Sequence, residues 1–118
     1  MSNEPELIDL GVVDELRDSV GGDEAFIKEL VSTYLAESPG YLEAIIAAAA
    51  ADDATALVRP AHTLKSSSAA IGAMRLSAVS KRLEFGAREG RVDQEAVEEA
   101  KALWPQTVAS LGAAGLTD

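Results

Sequence analysis

The sequence predicts an all-α protein, an antiparallel four-helix bundle with a short additional N-terminal helix, and three observations carry that prediction. Of the 118 residues, 22 are alanine and five are aromatic, a balance that suits close-packed helices better than a sheet. Apolar residues recur at three- and four-residue spacing in successive segments bounded by aspartate or glycine. No run of alternating β-branched residues, internal repeat or long linker interrupts them. A chain this short leaves too few residues for a second core, so residues 1–118 read as one domain, with the bundle proper over about 23–113.

The first helix rests on Leu10, Val13, Leu16 and Val20, with Asp9 before them and Gly21-Gly22 as the stop. Asp23 caps the next segment, where Phe26, Ile27, Leu30, Tyr34 and Leu35 share a face with Leu42, Ile45 and Ile46. Pro39 removes a backbone donor inside it, so the expectation is either two helices or one kinked helix over about 23–51. Asp52-Asp53 supplies the cap of a third helix, about 53–71, in which Leu57, Ala61, Leu64, Ser68 and Ile71 form a buried stripe that ends at Gly72. Leu76, Val79, Leu83 and Ala87 define a fourth, about 74–89. Asp93 opens the last, about 93–113, carrying Ala96, Val97, Ala100, Leu103, Trp104, Val108 and Leu111, with Pro105 as a kink. Trp104, Phe26 and Phe85 read as core.

Twenty acidic and ten basic side chains give a formal charge of −10, which repels nucleic acid and anionic membrane and favours protein partners. With no cysteine and one histidine there is no disulfide, no thiolate and no multi-imidazole metal site. No metal or cofactor is expected. The N-terminus lacks a basic and apolar secretion signal, and no window reaches the ~20 apolar residues that span a bilayer. These features point to a cytoplasmic protein, a start at Met1 with its own short helix reads as free-standing, and a monomer is the expectation. Motifs for a nucleophile elbow, a phosphate-binding glycine loop, a zinc protease and a carboxylate-bridged metal bundle are absent, and Asp52-Asp53 and Glu98-Glu99 read as caps and solvated faces.

On the third helix His62, Lys65, Ser66 and Ala69 fall in one row, with Val58 one turn earlier, away from the Leu57, Ala61, Leu64 stripe. An imidazole facing solvent is mostly neutral near pH 7 and hence nucleophilic. Lys65 brings a cation one turn away that can offset the charge of an incoming phosphoryl group. Ser66, Ala69 and Ala70 keep the surface low enough for a second protein to approach in line. Spacing alone favours an ordinary exposed His/Lys pair.

The string Ala61-His62-Thr63-Leu64-Lys65-Ser66-Ser67-Ser68-Ala69-Ala70-Ile71-Gly72 resembles the signature of the histidine phosphotransfer (HPt) family, Ala-His-x-Leu-Lys-Gly-Ser-[Ser/Ala]-x-x-[Leu/Ile/Val]-Gly. The likeness extends to the segment Phe26 to Leu35, to Pro39-Gly40-Tyr41-Leu42, to Asp53 and Leu57, and to Leu76 through Leu83-Glu84. The resemblance implies a stoichiometric phosphocarrier, not a kinase, relaying a phosphoryl group between receiver-domain aspartates of response regulators and hybrid sensor kinases. His62 is then the phosphoacceptor and Lys65 its charged neighbour, while Val58, Arg59, Ser66 and Ala69 form the receiver-docking surface. Any Mg²⁺ comes with the receiver.

Ser66 departs from the family's glycine. Its hydroxymethyl either obstructs docking or donates a hydrogen bond to the site, and tolerance is the expectation. Pro60 reads as a tolerated kink, Ser67 as outward-facing or bonded to a backbone carbonyl, and Ser68 as bonded one turn back. Arg59, Arg75, Lys81 and Arg82 read equally as solvated surface and as attraction for an acidic partner. The alternative function is a docking bundle that binds a receiver or kinase without being phosphorylated; a buried His62, or one with both ring nitrogens blocked, favours it.

Overall fold

The computed structural model describes residues 4–117. Five helices follow one another: α1 (Leu10–Ser19), α2 (Glu24–Ala50), α3 (Ala54–Ala70), α4 (Met74–Arg88) and α5 (Gln94–Ala113). Among the described residues there is no strand. Four starts are fixed by aspartate carboxylates that accept from otherwise orphaned N–H groups: Asp9 from Gly11, Asp23 from Phe26, Asp53 from Ala56 and Asp93 from Ala96, at 2.9 to 3.1 Å. α4 has no such cap. The chain enters it through a tight turn in which Ala73 N–H donates to the Ser68 carbonyl at 2.8 Å.

Short turns reverse the direction of each successive helix, so α2 to α5 form an antiparallel four-helix bundle with α1 added at one end. α3 packs most extensively on α4, and α2 meets α5 to close the ring. The core has two parts. One gathers Ile45, Leu57, Leu64, Leu76, Leu83 and Val97, and the other Val13, Ile27, Val31, Tyr34, Ile71 and Leu111. Trp104 packs against both and lies 5.8 Å from Tyr34, ring centroid to ring centroid, in a tilted arrangement.

α2 is one uninterrupted helix through Pro39, and α3 and α5 likewise continue through Pro60 and Pro105. Each proline lies on an exposed or half-exposed part of its helix. The carbonyl that loses its partner one turn back can therefore turn to water.

Two of the expected core aromatics are not core: Phe26 is 41% exposed and Phe85 54% exposed. Leu76, Val79 and Leu83 set the inward face of α4, and Phe85, two positions beyond Leu83, falls about 200° round the helix on the opposite side. Position decided against residue type. On α1, Val13 is buried while Leu10 is exposed. Ser68, fully buried, does not bond one turn back: its hydroxyl shares a 2.8 Å hydrogen bond with the Tyr34 hydroxyl of α2. Burial pushes the Tyr34 phenol up to about 12, against the opposing pull of the Ser68 and Ser38 hydroxyls.

Gly72 marks the α3–α4 junction with φ of +86°, and its carbonyl accepts from Asp9 N–H at 2.7 Å. A Cβ there would stand 2.8 Å from the Asp9 carbonyl oxygen, so only glycine lets the segment before α1 lie against the junction. Arg75 Nε fastens the same segment by donating to the Pro5 carbonyl at 3.0 Å. No helix among the described residues is long and apolar enough to cross a membrane.

Candidate functional site

His62 stands on α3 one position past Ala61, at the margin of the buried stripe, so its ring leaves the core while its Nδ1 edge still faces α4. Its side chain is 52% exposed. Nδ1 lies 2.9 Å from Glu84 Oε2 of α4. Glu84 is only 3% exposed, and three cationic or polar partners surround it. Lys65 Nζ is 2.6 Å from Oε1, and Arg88 donates to Oε2 through Nε at 2.9 Å and Nη2 at 2.7 Å.

Burial by itself raises the pKa of a carboxyl; here bonds from Lys65, Arg88 and His62, with the charge of Lys65, outweigh it and hold Glu84 at about 2. Glu84 is thus ionised at any ordinary pH and can only accept. This fixes the tautomer of the neutral imidazole: Nδ1 carries the hydrogen and donates it, and Nε2 keeps the lone pair. Among the described residues Nε2 has no hydrogen-bond partner. One carboxylate against two cations leaves the cluster with a net charge of +1 beside a neutral ring, a setting that favours a dianionic phosphoryl group.

The helices beneath share that charge. α3 and α4 carry Arg59, Lys65, Arg75, Lys81, Arg82 and Arg88, six of the ten basic residues of the chain, against Glu84 as their one acid. Arg82 is engaged with Glu99 and Asp93 at the α4–α5 side. Among the described residues no group of three His, Cys, Asp or Glu side chains could hold a metal.

The remaining expected site residues divide into two places. Val58 is half-buried, packed against the first core cluster, and Arg59 beside it is exposed. Ser66 and Ala69 line a groove between α3 and α4, together with Lys65. The Ser66 hydroxyl is exposed and makes no hydrogen bond to His62. Ser67 donates weakly to the Leu64 carbonyl at 3.4 Å.

The Hpt domain family matches residues 29–114. The chain belongs to the Hpt domain family. The crystal structure of histidine-containing phosphotransfer protein B (HptB) from Pseudomonas aeruginosa PAO1 is similar to this Hpt domain, with a TM-score of 0.77 and 28% identity over 86% of this chain and 87% of that one. No curated protein matches by sequence. As a member of this family the Hpt domain serves histidine phosphotransfer in two-component signalling, a family of phosphocarriers rather than kinases that interact with receiver domains.

Sequence reading gave Glu84 and Arg88 no role. The available signal was charge: Glu84 is the one acid on two otherwise basic helices, and it stands next to the buried Leu83. Arg88, four residues on, is a partner that helix spacing offers, but Lys65 and His62, from a different helix, are ones no periodicity within α4 reveals.

Proposed function

We propose that this Hpt domain relays a phosphoryl group from one receiver aspartate to another, with His62 as the carrier. The observation that carries the proposal is the pairing of His62 Nδ1 with a buried Glu84 that is ionised at neutral pH, which leaves Nε2 as the free nucleophile. In the forward step the Nε2 lone pair attacks phosphorus of an aspartyl phosphate; the N–P bond forms, the P–O bond breaks, and the aspartate leaves as a carboxylate. The ring becomes a substituted imidazolium, whose Nδ1–H donates to the Glu84 carboxylate. The second step is the reverse, onto another receiver. Lys65 and Arg88 offset the charge gathered during transfer.

Both receivers, of response regulators and of hybrid sensor kinases, bring the reacting aspartate and its Mg²⁺, so the carrier needs no cofactor of its own. His62, Lys65, Glu84 and Arg88 come from one chain, and a monomer suffices. The test is incubation with a phosphorylated receiver. Acid-labile phosphate is expected on the wild type and not on His62→Ala; equal labelling of both defeats the assignment.

A further inference from the structure

The segment before α1 plays no part in the phosphotransfer chemistry, yet residues 4–9 are fastened to the bundle at both ends. Arg75 of α4 donates from Nε to the Pro5 carbonyl at 3.0 Å and stands 4.0 Å from the Glu4 carboxylate. Asp9 N–H donates to the Gly72 carbonyl at 2.7 Å, an approach that a Cβ at Gly72 would block. Between these ends Leu7 packs against the first core cluster and Ile8 against the second, each half-buried. The segment lies ahead of residues 29–114, which match the family.

Pro5 lines a groove between α3 and α4 with Lys65, Ser66, Ala69, Met74 and Ala78. Ser66 and Ala69 are four and seven residues past His62, about 6 and 10.5 Å along the helix at 1.5 Å per residue. A stable protein contact covers about 800 Å² of each partner, a disc of about 16 Å radius. A macromolecule that brings an aspartyl phosphate to His62 Nε2 therefore reaches the ground on which Pro5 sits. The segment also occupies Arg75 with a carbonyl and a carboxylate, the groups an incoming acidic surface would offer it, so the two compete rather than cooperate. Its hold is shallow. Both hydrogen bonds join groups near the surface, and α1, which follows, packs least of the five helices on its neighbours, so the segment can lift without opening the four-helix ring.

We propose that residues 4–9 are an autoinhibitory strap. Closed, it covers the Ala69 end of the surface beside His62; lifted about the start of α1, it uncovers that surface and releases Arg75. A receiver binds the open form, so its apparent affinity is reduced by the fraction of molecules that are open, and whatever loosens the strap strengthens binding by the same factor. The proposal rests on the relay function for the identity of the competing partner.

The test combines hydrogen exchange at the Asp9 amide with titration of the source organism's receiver domains and transfer from the phosphorylated receiver. Wild type is compared with Leu7→Ala, which removes the apolar anchor between the two bonds, and with Gly72→Ala, which strains the Asp9 end; neither touches His62, Lys65, Glu84 or Arg88. Both variants are expected to exchange faster at Asp9 and to bind receiver about fivefold more tightly. Transfer should quicken by that factor at limiting receiver and equal wild type at saturation. In wild type, saturating receiver should itself speed exchange at Asp9, because the bound form is open. Slower or unchanged exchange at Asp9 in the complex overturns the strap, as does unchanged or weaker affinity in both variants. A receiver that opens the strap but never labels His62 overturns the relay function and leaves the strap standing, whereas labelling of His62 with Asp9 exchange unmoved does the reverse. If no receiver binds wild type or either variant, both readings fall.

Discussion

Glu84 Oε2 accepts from His62 Nδ1 at 2.9 Å and from Arg88 at 2.7 and 2.9 Å, so a single buried oxygen joins the proposed nucleophile to a cation one turn along α4. The other carboxylate oxygen is taken by Lys65, from α3. Replacing Glu84 by Gln keeps an acceptor for Nδ1–H but removes the charge that two cations and a developing imidazolium need. A hydrogen bond to a charged group contributes about 1.5–3 kcal/mol, so Glu84→Gln should lower the saturating transfer rate by about tenfold to a hundredfold. Nitrogen NMR of His62 is the companion measurement: wild type shows the Nδ1–H tautomer, and the variant should mix both. A variant with wild-type rate and tautomer removes Glu84 from the mechanism.

The same carboxyl makes the fold sensitive to acid. Its folded pKa of about 2 lies below the 4.5 of an unperturbed glutamate, so the unfolded chain takes up the proton first. The contribution of Glu84 is complete above about pH 4.5 and disappears as the pH falls towards 2. Denaturant unfolding followed over that window should show a steeper loss of stability in wild type than in Glu84→Gln. Parallel curves count against the assigned ion cluster.

Most helix limits were legible because they depend on local chemistry: Asp23, Asp53 and Asp93 cap their own helices, and Gly72 ends α3 within a turn of its last apolar residue, whereas Pro39 left open whether α2 was one helix or two. The inward stripe of α4 was legible too, and it already placed Phe85 outside. Reading aromatic as core overrode the period and misplaced it. Glu84 and Ser68 were not legible in this sense. Arg88, one turn along α4, is a local partner of Glu84, but Lys65 and His62 for Glu84 and Tyr34 for Ser68 are distant in sequence and reach them only once the helices pack.

Ser68 and Tyr34 form a polar pair between α3 and α2, with Ser68 at 0% exposure. Tyr34→Phe strands the Ser68 hydroxyl without water, which should cost about 1–3 kcal/mol in denaturant unfolding. Adding Ser68→Ala should restore part of that loss, because a lone hydroxyl no longer needs a partner. If the double variant loses the sum of both single costs, the pair is not coupled. Tyr34 should also titrate near 12 in wild type, against 10 for Tyr in an unfolded chain, so alkaline pH erodes stability between those values.

Gly72 tests whether the N-terminal segment is bound to the bundle or merely near it. At φ of +86° an alanine is strained in its own backbone, and its Cβ meets the Asp9 carbonyl oxygen at 2.8 Å. Gly72→Ala should therefore cost about 1–3 kcal/mol and free the Asp9 amide, which now donates to the Gly72 carbonyl. Hydrogen exchange at Asp9 should accelerate sharply, while amides in the middle of α3, such as that of Leu64, follow only the global loss. Because α1 makes the fewest contacts of any helix with its neighbours, the segment can detach without opening the four-helix ring. Equal acceleration at Asp9 and Leu64 would mean that the junction and the bundle unfold as one unit, and the strap is then part of the core rather than an attachment to it.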